Sequence, residues 1–162
     1  MDPKIIPELD LTTKPFIFTK TVYLPDTNAE GNVYFSRYFD WQGQTREAYL
    51  KAGITKEEYY GMIKARIRLV TVKASMEFHR MAWLFDEIAI KMTTRNIRHA
   101  SLEMLFLFVN QATNEILGQG IQQLAFQDRK GRLIAIPPFI RRIAAAIEEA
   151  GPQKAEPAAI KQ

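Results

Sequence analysis

The amino-acid sequence predicts an α+β domain in which one long helix lies against an antiparallel sheet. Three observations predict it: a helical repeat sustained over residues 32–52, a series of period-two segments after it, and short turns between those segments that suit hairpins. A chain of 162 residues with 47% hydrophobic content is sized for one domain with a real core.

The elements follow in order. Residues 16–24 read as a strand with Phe16, Phe18, Lys20, Val22 and Leu24 on one face. Pro25, Asp26, Thr27 and Asn28 break it, because proline and Asx residues favour turns. Gly31 then permits a tight backbone path. From Asn32 to Ala52 the residues Tyr34, Tyr38, Trp41, Thr45, Ala48 and Ala52 recur at steps of four and three, with Phe35, Phe39, Gln42, Arg46 and Tyr49 on the adjacent face. Gly53 supplies the stop, and the run Thr55, Lys56, Glu57, Glu58 caps a second, shorter helix ending near Lys64.

The second half changes period. Val70, Val72, Ala74, Met76 and Phe78 alternate with Thr71, Lys73, Ser75, Glu77 and His79, the pattern of a half-buried strand. Residues 86–95 continue it, with Ile88, Ile90 and Met92 on one face. Residues 102–109 are apolar on both faces, as in a strand covered from two sides. A turn at 110–114 leads to a strand over 115–127, and the turn 128–131 uses Gly131 for the positive φ of a hairpin. A last short strand ends at Pro137 and Pro138, before a helix over 139–150 with Ile140, Ile143, Ala144 and Ile147 on one face. Residues 1–14 form an N-terminal extension, 15–150 the folded domain, and 151–162, rich in Pro, Ala and Lys, a flexible tail. A sheet covered on one face only would leave 102–109 half exposed, which points to a homodimer that covers that surface or extends a sheet edge.

Composition excludes several classes of function. With no cysteine, disulfides, thiolate catalysis and cysteine zinc sites are out. His79 and His99 stand alone, without the spacing of a metal site or a triad, and read as structural or surface residues. No apolar run approaches the ~18 residues of a membrane span, residues 1–14 lack a signal-peptide core, and a cytoplasmic protein is expected. The net charge of +4 is scattered, without the basic stripe of a nucleic-acid binder. Arg129, Lys130 and Arg132 could meet carrier-protein or CoA phosphates, but a solvated hairpin is the simpler reading.

The segment Asp26-Thr27-Asn28-Ala29-Glu30-Gly31-Asn32-Val33-Tyr34, followed on a long helix by Trp41, Gln42, Arg46 and Glu47, resembles the hotdog-fold thioesterases of the 4-hydroxybenzoyl-CoA thioesterase type. The resemblance spans about residues 16–140. It implies a long central helix wrapped by a curved antiparallel sheet, and an active homodimer or dimer of dimers. Typical members carry a catalytic aspartate where this chain has Asn28. In that respect the sequence is similar to the thioesterases associated with enediyne polyketide synthases, which release a polyketide or fatty-acyl chain from a carrier-protein thioester. The resemblance implies Asn28 and Arg46 as the active-site pair, an acyl-carrier-protein or acyl-CoA thioester as partner, and no cofactor.

Elementary chemistry gives these residues roles. Asn28 does not titrate usefully, so it can hydrogen-bond but not act as base or nucleophile. Arg46 is a permanently charged donor. Gly31, Asn32, Val33 and Tyr34, at the expected helix start, would offer backbone N–H groups to the oxyanion. Hydrolysis would then proceed by positioning and electrostatics, without a covalent acyl-enzyme. Because Asn28 precedes the helix and Arg46 lies well along it, the site is expected to be shared between two subunits. Asn28 and Asp26 also have a plainer reading as turn and cap formers, and a hotdog domain that binds acyl chains without turnover is the alternative function. A hotdog dehydratase fits less well, for want of a histidine near the motif.

Overall fold

The structure, a computed structural model, describes residues 14–148, so that the expected tail and all but Lys14 of the expected extension fall outside it. The chain runs through β1 (Phe16–Thr21), a 3-10 turn (Leu24–Asp26), α1 (Ser36–Gly53), α2 (Lys56–Ala65), β2 (Arg68–Phe78), β3 (Glu87–Arg95), β4 (Ser101–Asn110), β5 (Ile116–Gln127) and α3 (Pro138–Glu148). The strands form one antiparallel sheet in the order β1-β3-β4-β5-β2. This is the expected α+β hotdog architecture, with the long helix on one face of the sheet.

Much of the core is what the periodicities predict, although Tyr34 and Ala52, at the two ends of the expected helical stripe, are exposed. Tyr38, Trp41, Thr45 and Tyr49 of α1 are buried, as are Ile88, Ile90 and Met92 of β3 and Met104, Phe106 and Phe108 of β4. Ile140, Ile143, Ala144 and Ile147 of α3 close the core beside β3. Two side chains tie α3 down: Tyr49 Oη donates to the Ile143 carbonyl and Thr94 Oγ1 to that of Ala144 at 2.9 Å. Helix α2 begins with the expected capping box, Thr55 and Glu58 each bonding the other's backbone N–H at 3.1 and 2.8 Å.

Several expectations are corrected. Strand β1 ends at Thr21, because Pro25 and the Asp26 carboxylate, bonded to Tyr23 N at 3.0 Å, close the 3-10 turn; Leu24 is left exposed. The long helix begins at Ser36 rather than Asn32. Residues 32–34 are drawn into extended pairing instead, Val33 N donating to Ala82 O and Tyr34 N to Asp26 O, both at 2.9 Å. Tertiary pairing here overrides a helical pattern. The expected strand before Pro137 shrinks to a single bridge between Gln127 and Leu133, since Ile136 N turns away to His99 O at 2.8 Å.

Strand β4 is buried on both faces within one chain: Met104, Phe106 and Phe108 join the main core, and Leu105, Leu107 and Val109 form a second cluster with Ile116 and Ile121. The expected half-exposure of 102–109 is therefore absent, and with it that argument for a dimer. The under-covered element is β2, an edge strand in which no residue is fully buried.

Strand β2 also breaks its expected alternation. A β-bulge between Thr71 and Lys73 gives it one residue more than β5, with Thr71 opposite Leu124 and Lys73 opposite Gln123. Upstream of the bulge it is therefore Leu69 and Thr71, not Val70, that share the inner face with Ala74, Met76 and Phe78. Val72 is 64% exposed.

Candidate active site

The turn before α1 is held by its own backbone. Asn28 N donates to Asn32 O at 2.9 Å and Gly31 N to Asn28 O at 3.0 Å, with Gly31 at φ +87°. Asn28 Oδ1 accepts from Glu30 N at 2.9 Å, an Asx turn. That bond orients the amide, with Oδ1 toward Glu30 N and the NH2 group left to donate. Of the expected oxyanion donors, Gly31, Val33 and Tyr34 have their N–H groups engaged inside the chain. The N-cap of α1 is Phe35, without a side-chain cap, and the first turn carries no acidic residue. The positive end of the α1 dipole is thus left without a carboxylate.

Asp26 has a structural position. Beyond capping the 3-10 turn, its carboxylate lies 3.7 Å from Lys20 Nζ. Lys20, the one polar residue on the inner face of β1, lies 5.9 Å from the Trp41 ring, a cation–π distance.

A second polar group sits under α1, where the helix meets β2 and β5. Arg46 Nη1 donates to Thr71 Oγ1 at 2.9 Å and to Gln122 Oε1 at 3.1 Å. The β2 bulge is what turns Thr71 inward to meet it. Burial lowers the Arg46 pKa, an effect the neighbouring Glu47 carboxylate opposes. One helical turn earlier, Gln42 is fully buried, its Nε2 donating to the Ser75 carbonyl at 3.2 Å. Gly120 makes room for it: a Cβ there would lie 2.2 Å from Gln42 Nε2. Gln42 Oε1 and Arg46 Nε are buried without hydrogen-bond partners among the described residues.

The expected pair is not brought together within one chain. Asn28 belongs to the turn before α1, whereas Arg46 is bonded to β2 and β5, about 15 Å along the helix axis from Ser36. Sequence reasoning passed over Gln42, Thr71 and Gln122 as site residues. The signal for them lay in β5, where Gly118-Gln119-Gly120-Ile121-Gln122-Gln123 places amides and glycines in a strand otherwise apolar and buried. His79 and His99 are far apart in the sequence, and among the described residues no cluster of His, Asp or Glu is arranged to hold a metal ion. No helix among them is long and apolar enough to cross a membrane.

Around the turn lies an exposed apolar surface. Tyr34, Phe35, Phe78, Met81, Trp83 and Phe85 are each about half exposed or more. They sit on two segments joined by the Asn32–Trp83 bridge and by Val33 N to Ala82 O. Tyr38 beneath packs edge-on against Phe78, ring centroids 5.3 Å apart.

Comparison with known proteins gives the chain its family. Residues 22–144 match the family model of the thioesterase-like superfamily. The dynemicin thioesterase, solved in a study of polyene binding, is 27% identical, superimposes with a TM-score of 0.75, and aligns over 83% of this chain and 97% of its own. A 1,4-dihydroxy-2-naphthoyl-CoA thioesterase of Synechocystis shares the fold at 17% identity and a TM-score of 0.75, over 83% of this chain and 98% of its own. A Staphylococcus aureus protein solved in complex with CoA shares it at 12% identity and a TM-score of 0.77, over 91% and 92%. No curated protein matches by sequence. Since the family match runs from the end of β1 into α3 and takes in both the Asn28 turn and Arg46, the protein belongs to the thioesterase-like superfamily.

Proposed function

We propose that the protein hydrolyses the thioester of a long, largely apolar acyl or polyketide chain carried on coenzyme A or an acyl-carrier protein. The observation that carries this reading is the anchored Arg46: a half-buried guanidinium, fixed by Thr71 and Gln122, beside the exposed edge strand β2. A preorganised cation of this kind stabilises the oxyanion formed as a thioester is attacked. Family membership supports thioester chemistry, and the polyene-binding relative supports an extended apolar acyl group. The aromatic surface around the turn suits such a chain.

In this mechanism Asn28 donates through its NH2 group to the thioester carbonyl, and Arg46 donates to the same oxygen as it gains charge. Gly31, Asn32, Val33 and Tyr34 hold the turn in shape rather than supplying most of the donors, and the positive end of the α1 dipole faces no carboxylate. No carboxylate acts as nucleophile. The two halves of the site meet when a second copy of the chain pairs along β2, bringing Asn28 of one subunit to Arg46 of the other. The protein then works as a dimer, or as a dimer of dimers.

The commitment of Asn28 Oδ1 and of three backbone donors to the turn favours a second reading, an acyl-binding domain without turnover. Release of free thiol from acyl-CoA and acyl-carrier-protein thioesters of graded chain length separates the two. Hydrolysis that disappears in Arg46→Met supports the enzyme. Tight binding of the same thioesters with no thiol released would establish the binding domain instead.

A further inference from the structure

We infer that Gln42 is the residue that holds the attacking water, an assignment that rests on the hydrolase reading above. Hydrolysis needs a hydrogen-bond acceptor for the water as well as donors for the oxyanion. Neither member of the Asn28–Arg46 pair offers an acceptor oxygen without a partner. Asn28 Oδ1 already accepts from Glu30 N, and a guanidinium has no acceptor. The other oxygens beside Arg46, Thr71 Oγ1 and Gln122 Oε1, already accept from it.

Gln42 Oε1 is different. The Ser75 carbonyl can only accept, so the amide must face it with Nε2, and Oε1 must point the other way. The residue is 0% exposed, and Oε1 has no donor among the described residues. Leaving such an acceptor dry forfeits its hydration with nothing in return, which makes a bound donor the natural complement. Arg46, one turn further on the same helix face, has a buried Nε–H that likewise has no acceptor. A water that donates to Gln42 Oε1 and accepts from Arg46 Nε–H keeps a lone pair for the thioester carbon. As it adds, the C–S bond breaks and one water proton ends on the departing sulfur. The second proton leaves when the acid product ionises. Gly120 preserves the geometry, because any side chain there displaces the Gln42 amide.

The experiment measures kcat and KM of full-length wild type, Gln42→Leu, Gln42→Glu and Gly120→Ala on a thioester that wild type hydrolyses, with a melting curve for each. Gln42→Leu should lower kcat roughly 10²-fold with KM little changed, the scale of misplacing a reacting group. Gln42→Glu should keep more activity and gain an acidic limb in its pH–rate profile, which a purely structural glutamine would not produce. Gly120→Ala, with Gln42 intact, should lose kcat comparably, and adding it to Gln42→Leu should cost little more. A kcat for Gln42→Leu close to wild type overturns the assignment and leaves the hydrolase reading standing, as does a loss that only tracks the folded fraction. A wild type that hydrolyses no thioester overturns both.

Discussion

The shared site makes a quantitative prediction for mixed dimers. Asn28→Ala and Arg46→Met chains, each inactive as a homodimer, are co-expressed with different tags and the heterodimer is isolated through both. In an isologous dimer the heterodimer has one site with both residues intact and one with neither, so it should recover about half the wild-type activity, and an unseparated random mixture roughly one quarter. Each parent should lose about 10²–10³ in kcat if its donor acts on the oxyanion. Folding must be checked, because Arg46→Met strips the donor from Gln122 Oε1 in a residue only 4% exposed. That loss is worth about 1–3 kcal/mol and a fall in Tm of roughly 2–12 °C. Thiol release is therefore measured well below the lowered Tm. A folded heterodimer no more active than its parents would refute the cross-subunit site.

Other changes test other parts of the structure. Asp26→Asn should cost no more than ~1 kcal/mol of stability, since its ion pair with Lys20 is long and partly solvated, and should leave kcat near wild type; a large kcat loss would make Asp26 a catalytic acid or base. Gly118→Ala should force the Glu77 carbonyl back by about 1 Å, because a Cβ would lie 2.4 Å from it, and should destabilise by ~1–3 kcal/mol; an unchanged Tm would show that β2 does not approach so closely. Burial, with help from the Asp86 charge and against the Ala82 N–H, pushes the Tyr38 phenol up to about 12. The folded protein therefore holds this proton more tightly than the unfolded chain, whose phenol titrates near 10. The resulting stabilisation of about 3 kcal/mol is complete below pH ~10 and lost as pH rises to 12. Chemical denaturation across that range should show the decline, and Tyr38→Phe should flatten it; equal slopes in the two proteins would place Tyr38 in water.

Much of the fold was legible because burial imposes a period on residues that have no other reason to recur. The face Tyr38, Trp41 and Thr45, the triplet Ile88, Ile90 and Met92, and the stripe Ile140, Ile143, Ala144 and Ile147 are all buried as their spacing requires. The start of α1 was not legible, because Asn32, Val33 and Tyr34 are held by Ala82 and Asp26, partners that periodicity does not register. Nor was the inner face of β2 near Thr71, since the bulge inserts a residue without any local mark in composition. At the site, the sequence pointed to the Asn28 turn and Arg46 through a spaced motif. Gln42 entered only as part of that motif and Gln122 looked like an ordinary polar residue; their weight comes from burial, Gln42 against Ser75 and Gly120, and Gln122 against Arg46.

The bulge in β2 is what lets the strand carry Val72, an exposed side chain that takes no part in the anchoring, without losing the contact to Arg46. Were Val72 paired in plain alternation with Ala74 and Met76, Thr71 would turn to the solvent face and Arg46 would hang from Gln122 alone. Deleting Val72 instead removes the extra residue and leaves Thr71 opposite Leu124, still facing the arginine, and Lys73 opposite Gln123. Relatives with a β2 one residue shorter would keep both the arginine and its strand anchor.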